Sequence, residues 1–262
     1  MSSQTRDIVL TIDLDASPEE VFRAVTDGTE IAKWLAPEAK VTPPAGNQKG
    51  NIWISWGEGM AAGAEIEVWD PPRKMTHQFG AHPETKAPLY AEWSIEAKEG
   101  GTSTLRLVHS GFSASADWDG EFESHARGWT LMIANLRHYL GRHKNEPAVH
   151  LIFSANLKAQ YTKVWAALVD KLGLKDPKEG EPFSISPAGE QLSGFIEFSN
   201  GRDLALIVKE LDDGLLRFQL EGGRKPEGPT FAYGYVIAYG DAAGRAKELQ
   251  ASMGKLIKGL PA

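Results

Sequence analysis

The chain has 262 residues, of which 42% are hydrophobic and 24% are charged, and these are the proportions of a folded globular protein. Its net charge of −7 disfavours binding to nucleic acid or to an anionic membrane surface, because both require a basic surface. The absence of cysteine excludes disulfides, thiolate metal sites and a cysteine nucleophile. Since no secretory signal is visible and no apolar run approaches roughly 20 residues, we expect a cytoplasmic protein that does not span a membrane.

The first part of the chain predicts a strand followed by two helices. Residues 7–15 alternate between apolar and polar side chains, which is the pattern of a half-buried strand. Ser17 then provides a helix N-cap, Pro18 occupies the first helical position, and Glu20 stands where it can complete a capping box. A second, short helix is expected at about residues 29–35.

Five or six extended segments follow, and their succession predicts one antiparallel meander with a tight hairpin turn at Gly100-Gly101. A long helix is then expected at about residues 121–143. Phe122, Trp129 and Leu136 belong to an apolar stripe with three- and four-residue spacing, and this stripe should lie against the sheet. The sequence therefore predicts an α+β fold in which a curved antiparallel sheet surrounds a long C-terminal helix.

The same order of elements restarts after residue 145, which predicts two domains at residues 1–145 and 146–262. Residues 21–27 align without a gap on residues 164–170. Residues 175–191 are expected to form a loop, followed by four strands and a final helix, so the second copy is shorter by a strand or two. The alternative is that two unrelated α+β pieces share a common order of elements.

Several short motifs of the first half match a known family. They are residues 8–14, Ser17-Pro18-Glu19-Glu20-Val21-Phe22, residues 29–34 and 50–52, Pro71-Pro72-Arg73-Lys74-Met75, Tyr90-Ala91-Glu92-Trp93 and Gly128-Trp129. On these motifs the first half resembles the START-like (SRPBCC) superfamily, in the bacterial branch named after the activator of Hsp90 ATPase. The resemblance covers about residues 6–143 and implies a helix-grip fold, which the repeated order of elements predicts to be duplicated in tandem. It also implies a hydrophobic cavity between the long helix and the sheet; members bind lipids, hormones, polyketides or aromatic compounds, and some are cyclases.

Strand parity and the helix stripe predict which side chains line that cavity. The predicted ligand-binding residues are Ile54, Trp56, Met75, His77, Phe79, Trp93, Leu107, His109, Phe122, Trp129 and Ile133. The same parity directs Ile66 and Val68 inward, and it directs Trp53 and Trp69 outward. The alternative is that these large apolar residues build an ordinary core without any ligand, because every core needs such residues.

His77 and His109 are polar residues on otherwise apolar strand faces, which makes them the candidate catalytic residues. A buried neutral histidine can orient a ligand carbonyl or hydroxyl, or it can act as an acid or base. The alternative is a core histidine without a functional role. His125, near the start of the long helix, could reach the mouth of the cavity. Zinc would need a third ligand that no spacing supplies, so we expect neither a metal nor another cofactor.

These observations leave three hypotheses for the function. The first is binding of a small hydrophobic or aromatic ligand in the cavity of the first domain. The second is a cyclase- or hydrolase-type enzyme that uses His77 or His109. The third, which rests on the family name, is a chaperone-associated interaction module, with the chaperone as a partner. An unprotected sheet edge would also permit a homodimer.

Overall fold

The computed structural model describes residues 4–57, 59–222 and 228–261. The chain divides into two compact units, one ending at Lys144 and the other beginning at Asn145. Each unit contains one antiparallel sheet and ends in a helix. No helix within these described ranges is long and apolar enough to cross a membrane.

The first unit contains seven strands and three helices. The strands are β1 (Thr5–Leu14), β2 (Glu38–Thr42), β3 (Gly50–Ser55), β4 (Ala61–Asp70), β5 (Lys74–Ala81), β6 (Pro88–Ala97) and β7 (Ser103–Ser113). The helices are α1 (Pro18–Thr26), α2 (Gly28–Ile31) and α3 (Asp119–Arg142). The spatial order β1-β7-β6-β5-β4-β3-β2 confirms the predicted meander, with β1 returning to pair with β7. The predicted long helix is also confirmed, although it begins two residues earlier.

The second unit contains six strands and two helices. The strands are β8 (Ala148–Leu157), β9 (Pro182–Ile185), β10 (Leu192–Ser199), β11 (Asp203–Val208), β12 (Gly214–Gly222) and β13 (Thr230–Tyr239). The helices are α4 (Tyr161–Leu172) and α5 (Ala246–Lys258). The spatial order β8-β13-β12-β11-β10-β9 repeats that of the first unit without an equivalent of β2. The fold is therefore a tandem duplication of the helix-grip architecture.

The gap-free alignment of α1 with α4 agrees with the burial of these helices. Val21 and Val164 are both fully buried, and so are Val25 and Leu168 at the next turn. The prediction of a loop over residues 175–191 was wrong in one part, because β9 lies there and pairs with β10. Its two buried side chains, Phe183 and Ile185, lie on one face of a strand too short to stand out among Pro and Gly.

The start of α1 forms as the sequence indicates. The Glu20 backbone N–H donates to Ser17 Oγ over 3.3 Å, and the Ser17 backbone N–H donates to a Glu20 carboxylate oxygen over 2.9 Å. These reciprocal bonds satisfy two donors that the first turn of a helix leaves unpaired. Lys144 also contacts the Glu20 carboxylate at 2.9 Å, and its hydrogen bond is the main reason why the pKa of Glu20 is lowered.

Trp34 connects the short helices to α3. Its side chain is completely buried, and its indole N–H donates to the carbonyl oxygen of Ala24 over 2.9 Å. The carboxamide of Asn135, which is buried on α3, donates to the carbonyl oxygen of Trp34 over 3.1 Å. The Trp34 ring also makes an edge-to-face contact with Trp93 on β6, with 6.3 Å between ring centroids. Trp34 therefore fixes α3 above the centre of the first sheet.

Candidate functional site

Adjacent strands at the centre of the first sheet align the predicted site residues in two rows. Met75 on β5 pairs with Trp93 on β6, which pairs with Leu107 on β7. In the second row, two residues further along β5, His77 pairs with Ala91, which pairs with His109. All six side chains are buried, so the inward face of these strands is an apolar surface with one histidine at each end of the second row.

The aromatic side chains of this region contact one another in a continuous group, which we call the ring cluster. It consists of His77, Phe79, Trp93, His109, Phe112, Phe122, His125 and Trp129. Centroid distances are 4.8 Å from His77 to Phe79, 5.5 Å from Phe79 to His109 and 5.5 Å from Trp93 to Trp129. Most of the contacts are edge-to-face, the arrangement that aromatic quadrupoles favour.

The ring cluster reaches the surface at the N-terminal half of α3. The buried residues of this helix begin at Leu131, whereas Phe122 and Trp129 are half-buried and His125 is exposed. Six of the eleven predicted residues thus belong to one group that runs from the core to solvent: His77, Phe79, Trp93, His109, Phe122 and Trp129. Ile54 and Ile133 are also buried, and Trp56 donates its indole N–H to the carbonyl oxygen of Leu35 over 2.9 Å.

His109 has a specific hydrogen-bond partner within the ring cluster. The indole N–H of Trp129 donates to His109 Nδ1 over 2.8 Å. His109 Nε2, His77 Nδ1 and the indole nitrogen of Trp93 are buried and make no hydrogen bond within the described chain. Buried polar groups normally have partners, so three unpartnered atoms in one region are an unusual feature of this core.

The two buried histidines of the ring cluster, His77 and His109, are neutral at physiological pH. Burial lowers the pKa of His77 to about 4, since the charged imidazolium would lose its hydration. Burial also lowers the pKa of His109 to about 3, and positive charge on His125 or His77 would add to this effect. The site therefore offers neutral imidazole rings.

A β-bulge in β7 brings Phe112 into the ring cluster, and strand parity did not predict this residue. Ile8 of β1 pairs with His109 and Arg6 pairs with Phe112, so β7 carries one extra residue between these two pairs. Gly111 lies in that extra stretch with a φ of +97°, a conformation that favours glycine. The bulge turns both His109 and Phe112 inward, with their ring centroids 4.6 Å apart.

Replacement of Gly111 by alanine should destabilise the first unit by about 3 kcal/mol. The strained φ contributes, and the added Cβ would lie 2.3 Å from the carbonyl oxygen of Pro88. Denaturant unfolding followed by tryptophan fluorescence would measure the change, since seven of the eight tryptophans are in this unit. Gly128→Ala on α3 is the matched control: its Cβ meets nothing within 4 Å, and a helical alanine should increase stability. Equal stability of the two variants would contradict the bulge.

A second bulge overturns part of the parity prediction on β4. Ile66 pairs with His77, but Val68 pairs with Thr76 and Trp69 with Met75, so Glu67 is the extra residue. The prediction that Val68 points inward was therefore wrong, and its side chain is 39% exposed. Trp69, predicted to point outward, instead packs edge-on against Phe22, with 5.2 Å between ring centroids.

Polar contacts connect the loop between β5 and β6 to the start of α3 at the rim of the ring cluster. His82 is fully buried; its Nδ1 accepts from the Glu84 backbone N–H, and its Nε2 lies 3.3 Å from a Glu121 carboxylate oxygen. On the other side, the Arg6 guanidinium stacks on Phe122 at 4.2 Å and pairs with Asp119 at 2.7 Å. These rim residues lie far apart in the sequence, so no local pattern pointed to them.

Each unit also has a surface pocket beside its first helix, and the two pockets occupy equivalent positions. The pocket of the first unit, about 390 Å³, lies between α1 and the turn from β4 to β5, where Phe22 and Trp69 meet. The pocket of the second unit, about 610 Å³, lies between α4 and the turn from β10 to β11, and Trp165 lines it. No residue of the predicted cavity lines either pocket.

In the part of the chain that the structure describes, no group of three or more His, Asp or Glu residues could hold a metal ion.

The architecture and the ring cluster define a class: a protein of two helix-grip units, the first with an aromatic group between its long helix and its sheet. Residues 15–141 match the family described as activator of Hsp90 ATPase homolog 1-like protein. This match covers most of the first unit and agrees with the resemblance found in its sequence motifs. No curated protein sequence matches the chain.

Three solved structures illustrate the structural similarity. Protein MLL2253 from Mesorhizobium loti is 23% identical, with a TM-score of 0.45 over 53% of this chain and 98% of that one. The Aha1 dimer from Colwellia psychrerythraea is 20% identical, with a TM-score of 0.43 over 52% and 96%. The di-domain ARO/CYC BexL of the BE-7585A biosynthetic pathway is 14% identical, with a TM-score of 0.45 over 97% of both chains. At these values the similarity assigns no ligand to this chain.

Proposed function

We propose that the first unit binds one small hydrophobic or aromatic molecule between α3 and the inward face of its sheet. The observation that carries the proposal is the ring cluster, which extends from buried Trp93 to half-buried Phe122 at the surface. Ligand sites are commonly apolar clefts that contain a few convergent polar groups. The imidazole of His109 and the indole N–H of Trp93 supply such groups here.

Native mass spectrometry of freshly purified protein tests this proposal even though the ligand is unidentified. We expect a bound apolar molecule at about one per chain, which extraction and fragmentation would then identify. A homogeneous apo mass, together with no binding of aromatic probes in a fluorescence titration, would overturn the proposal.

Fluorene, a flat hydrocarbon of three rings, should bind the first unit and quench its tryptophan fluorescence. Phe122→Ser should weaken this binding by about tenfold, because one aromatic contact at the entrance is lost. Phe195→Ser is the matched control, since Phe195 is 47% exposed on β10 of the second unit. If the unmodified protein, Phe122→Ser and Phe195→Ser bind fluorene with equal affinity, fluorene binds outside the ring cluster.

Catalysis by a pocket histidine is the second candidate, and the geometry supports it less well. His109 has the polar partner that a catalytic histidine needs, the indole of Trp129. However, a base whose pKa is about 3 accepts a proton poorly at neutral pH, and efficient acid–base catalysts have a pKa near the working pH. The chaperone interaction stays a prediction, as does a homodimer formed through an unprotected sheet edge.

A further inference from the structure

The contact between Trp129 and His109 determines which polar group the proposed ligand can carry. An indole N–H is a donor without acceptor capacity, so His109 Nδ1 must be the unprotonated nitrogen. In a neutral imidazole the proton then lies on Nε2. His109 is 6% exposed, and its Nε2 has no partner within the described chain. The buried imidazole therefore presents an unused N–H donor.

Trp93 carries a second unpartnered donor of the same polarity. The indole nitrogen of Trp93 is a donor, its side chain is 3% exposed, and its ring lies 5.5 Å from that of Trp129. A ligand atom that reaches these donors must be an acceptor, because a second donor or a hydrocarbon would leave a buried N–H unsatisfied.

We propose that Trp129 is a positioning residue that holds His109 as the Nε2–H tautomer, so that the site selects flat ring ligands carrying a hydrogen-bond acceptor, such as an aromatic ketone. This inference rests on the proposed function and adds the chemical class of the ligand. Two aromatic rings beside His109, those of Phe79 at 5.5 Å and Phe112 at 4.6 Å, would contact the ring system while Nε2–H donates to the ketone oxygen.

The test compares 9-fluorenone with fluorene, two probes that share a three-ring outline and differ in one carbonyl group. With the full chain at pH 7, we expect fluorenone to bind about tenfold more tightly, since it satisfies a buried donor that fluorene leaves unpaired. Trp129→Phe should reduce this preference, because the Nε2–H tautomer of His109 is then no longer fixed by the indole N–H. Trp53→Phe, which removes an indole on the opposite strand face, is the control and should keep the preference.

Nitrogen-15 NMR of the histidine side chains provides a readout that a purely structural role would not change. In the unmodified protein we expect a protonated Nε2 and an unprotonated Nδ1 for His109, and in Trp129→Phe a mixture of tautomers. The first of these measurements needs no variant, so it remains decisive if Trp129→Phe fails to fold.

Three results would overturn the inference, and they separate it from the proposed function. If fluorene and fluorenone bind equally well, or if Trp129→Phe keeps the preference for fluorenone, the selection for a hydrogen-bond acceptor is wrong. In both cases binding of aromatic ligands at the ring cluster is still supported. A proton on Nδ1 of His109 in the unmodified protein would also refute the role of Trp129. If neither probe binds and native mass spectrometry shows a homogeneous apo protein, both proposals fail.

Discussion

Acidification from pH 6.5 to pH 4 is expected to lower the free energy of unfolding of the first unit by on the order of 5 kcal/mol. The cause is the burial of His77 and His109, whose pKa values are lowered to about 4 and about 3. In the unfolded chain both have their ordinary value near 6.5. Below that pH the unfolded state binds more protons than the folded state, so stability is complete above pH 6.5 and is lost as the pH falls.

Denaturant unfolding at several pH values would measure this effect. The range from pH 6.5 to 4.5 is the most informative, because Glu20 and Glu92, whose pKa values are lowered by hydrogen bonds from Lys144 and Lys74, lose their stabilising effect at lower pH. His77→Phe keeps a ring beside Phe79 and removes one titrating group, so it should reduce the pH dependence by about half. A free energy of unfolding that is constant between pH 6.5 and 4.5 would contradict the burial of both imidazoles.

Replacement of Arg217 by methionine is expected to destabilise the second unit by about 3–5 kcal/mol. The Arg217 side chain is fully buried on β12; its guanidinium donates to the carbonyl oxygen of Leu206 over 3.1 Å and pairs with the Glu197 carboxylate. Methionine fills much of the volume of the arginine side chain but leaves the half-buried carboxylate of Glu197 without the guanidinium that it pairs with. Trp165, the single tryptophan of the second unit, would report the unfolding of this unit.

Two further variants distinguish loss of the ion pair from general damage to the sheet. Glu197→Leu combined with Arg217→Met should recover most of the lost stability, because no unpaired charge remains. Lys49→Met removes an exposed cation from its pairs with Glu65 and Glu67 and should leave stability nearly unchanged. If the double variant were no more stable than Arg217→Met alone, the unpaired carboxylate would not be the cause.

The order of elements and the centre of the site follow from local patterns in the sequence. Alternation along β5, β6 and β7 places Met75, Trp93 and Leu107 in one buried row, and the α3 stripe brings Trp129 to the ring cluster. The capping box at Ser17 and Glu20 is likewise a signal contained in four consecutive residues. Such features are predictable because each depends on neighbours in the chain.

Register shifts and long-range pairs were not predictable in the same way. A bulge adds one residue to a strand, so the residues after it point to the opposite face from the one that alternation predicts. For this reason Val68 is exposed and Phe112 joins the ring cluster. On β7, Gly111 gives a hint of the bulge, whereas Glu67 on β4 gives none. The bond from Trp129 to His109 depends on where α3 crosses β7, and this is a property of the tertiary structure.

The most direct test of ligand binding by the first unit is an isotope-edited nuclear Overhauser spectrum of the protein saturated with 9-fluorenone. We expect contacts from the probe to the rings of Phe79, Phe112, Phe122 and Trp129. Contacts to Phe22 and Trp69, or to Trp165, would place the ligand in one of the surface pockets and contradict binding at the ring cluster. The absence of any contact from the probe to the first unit would also contradict it.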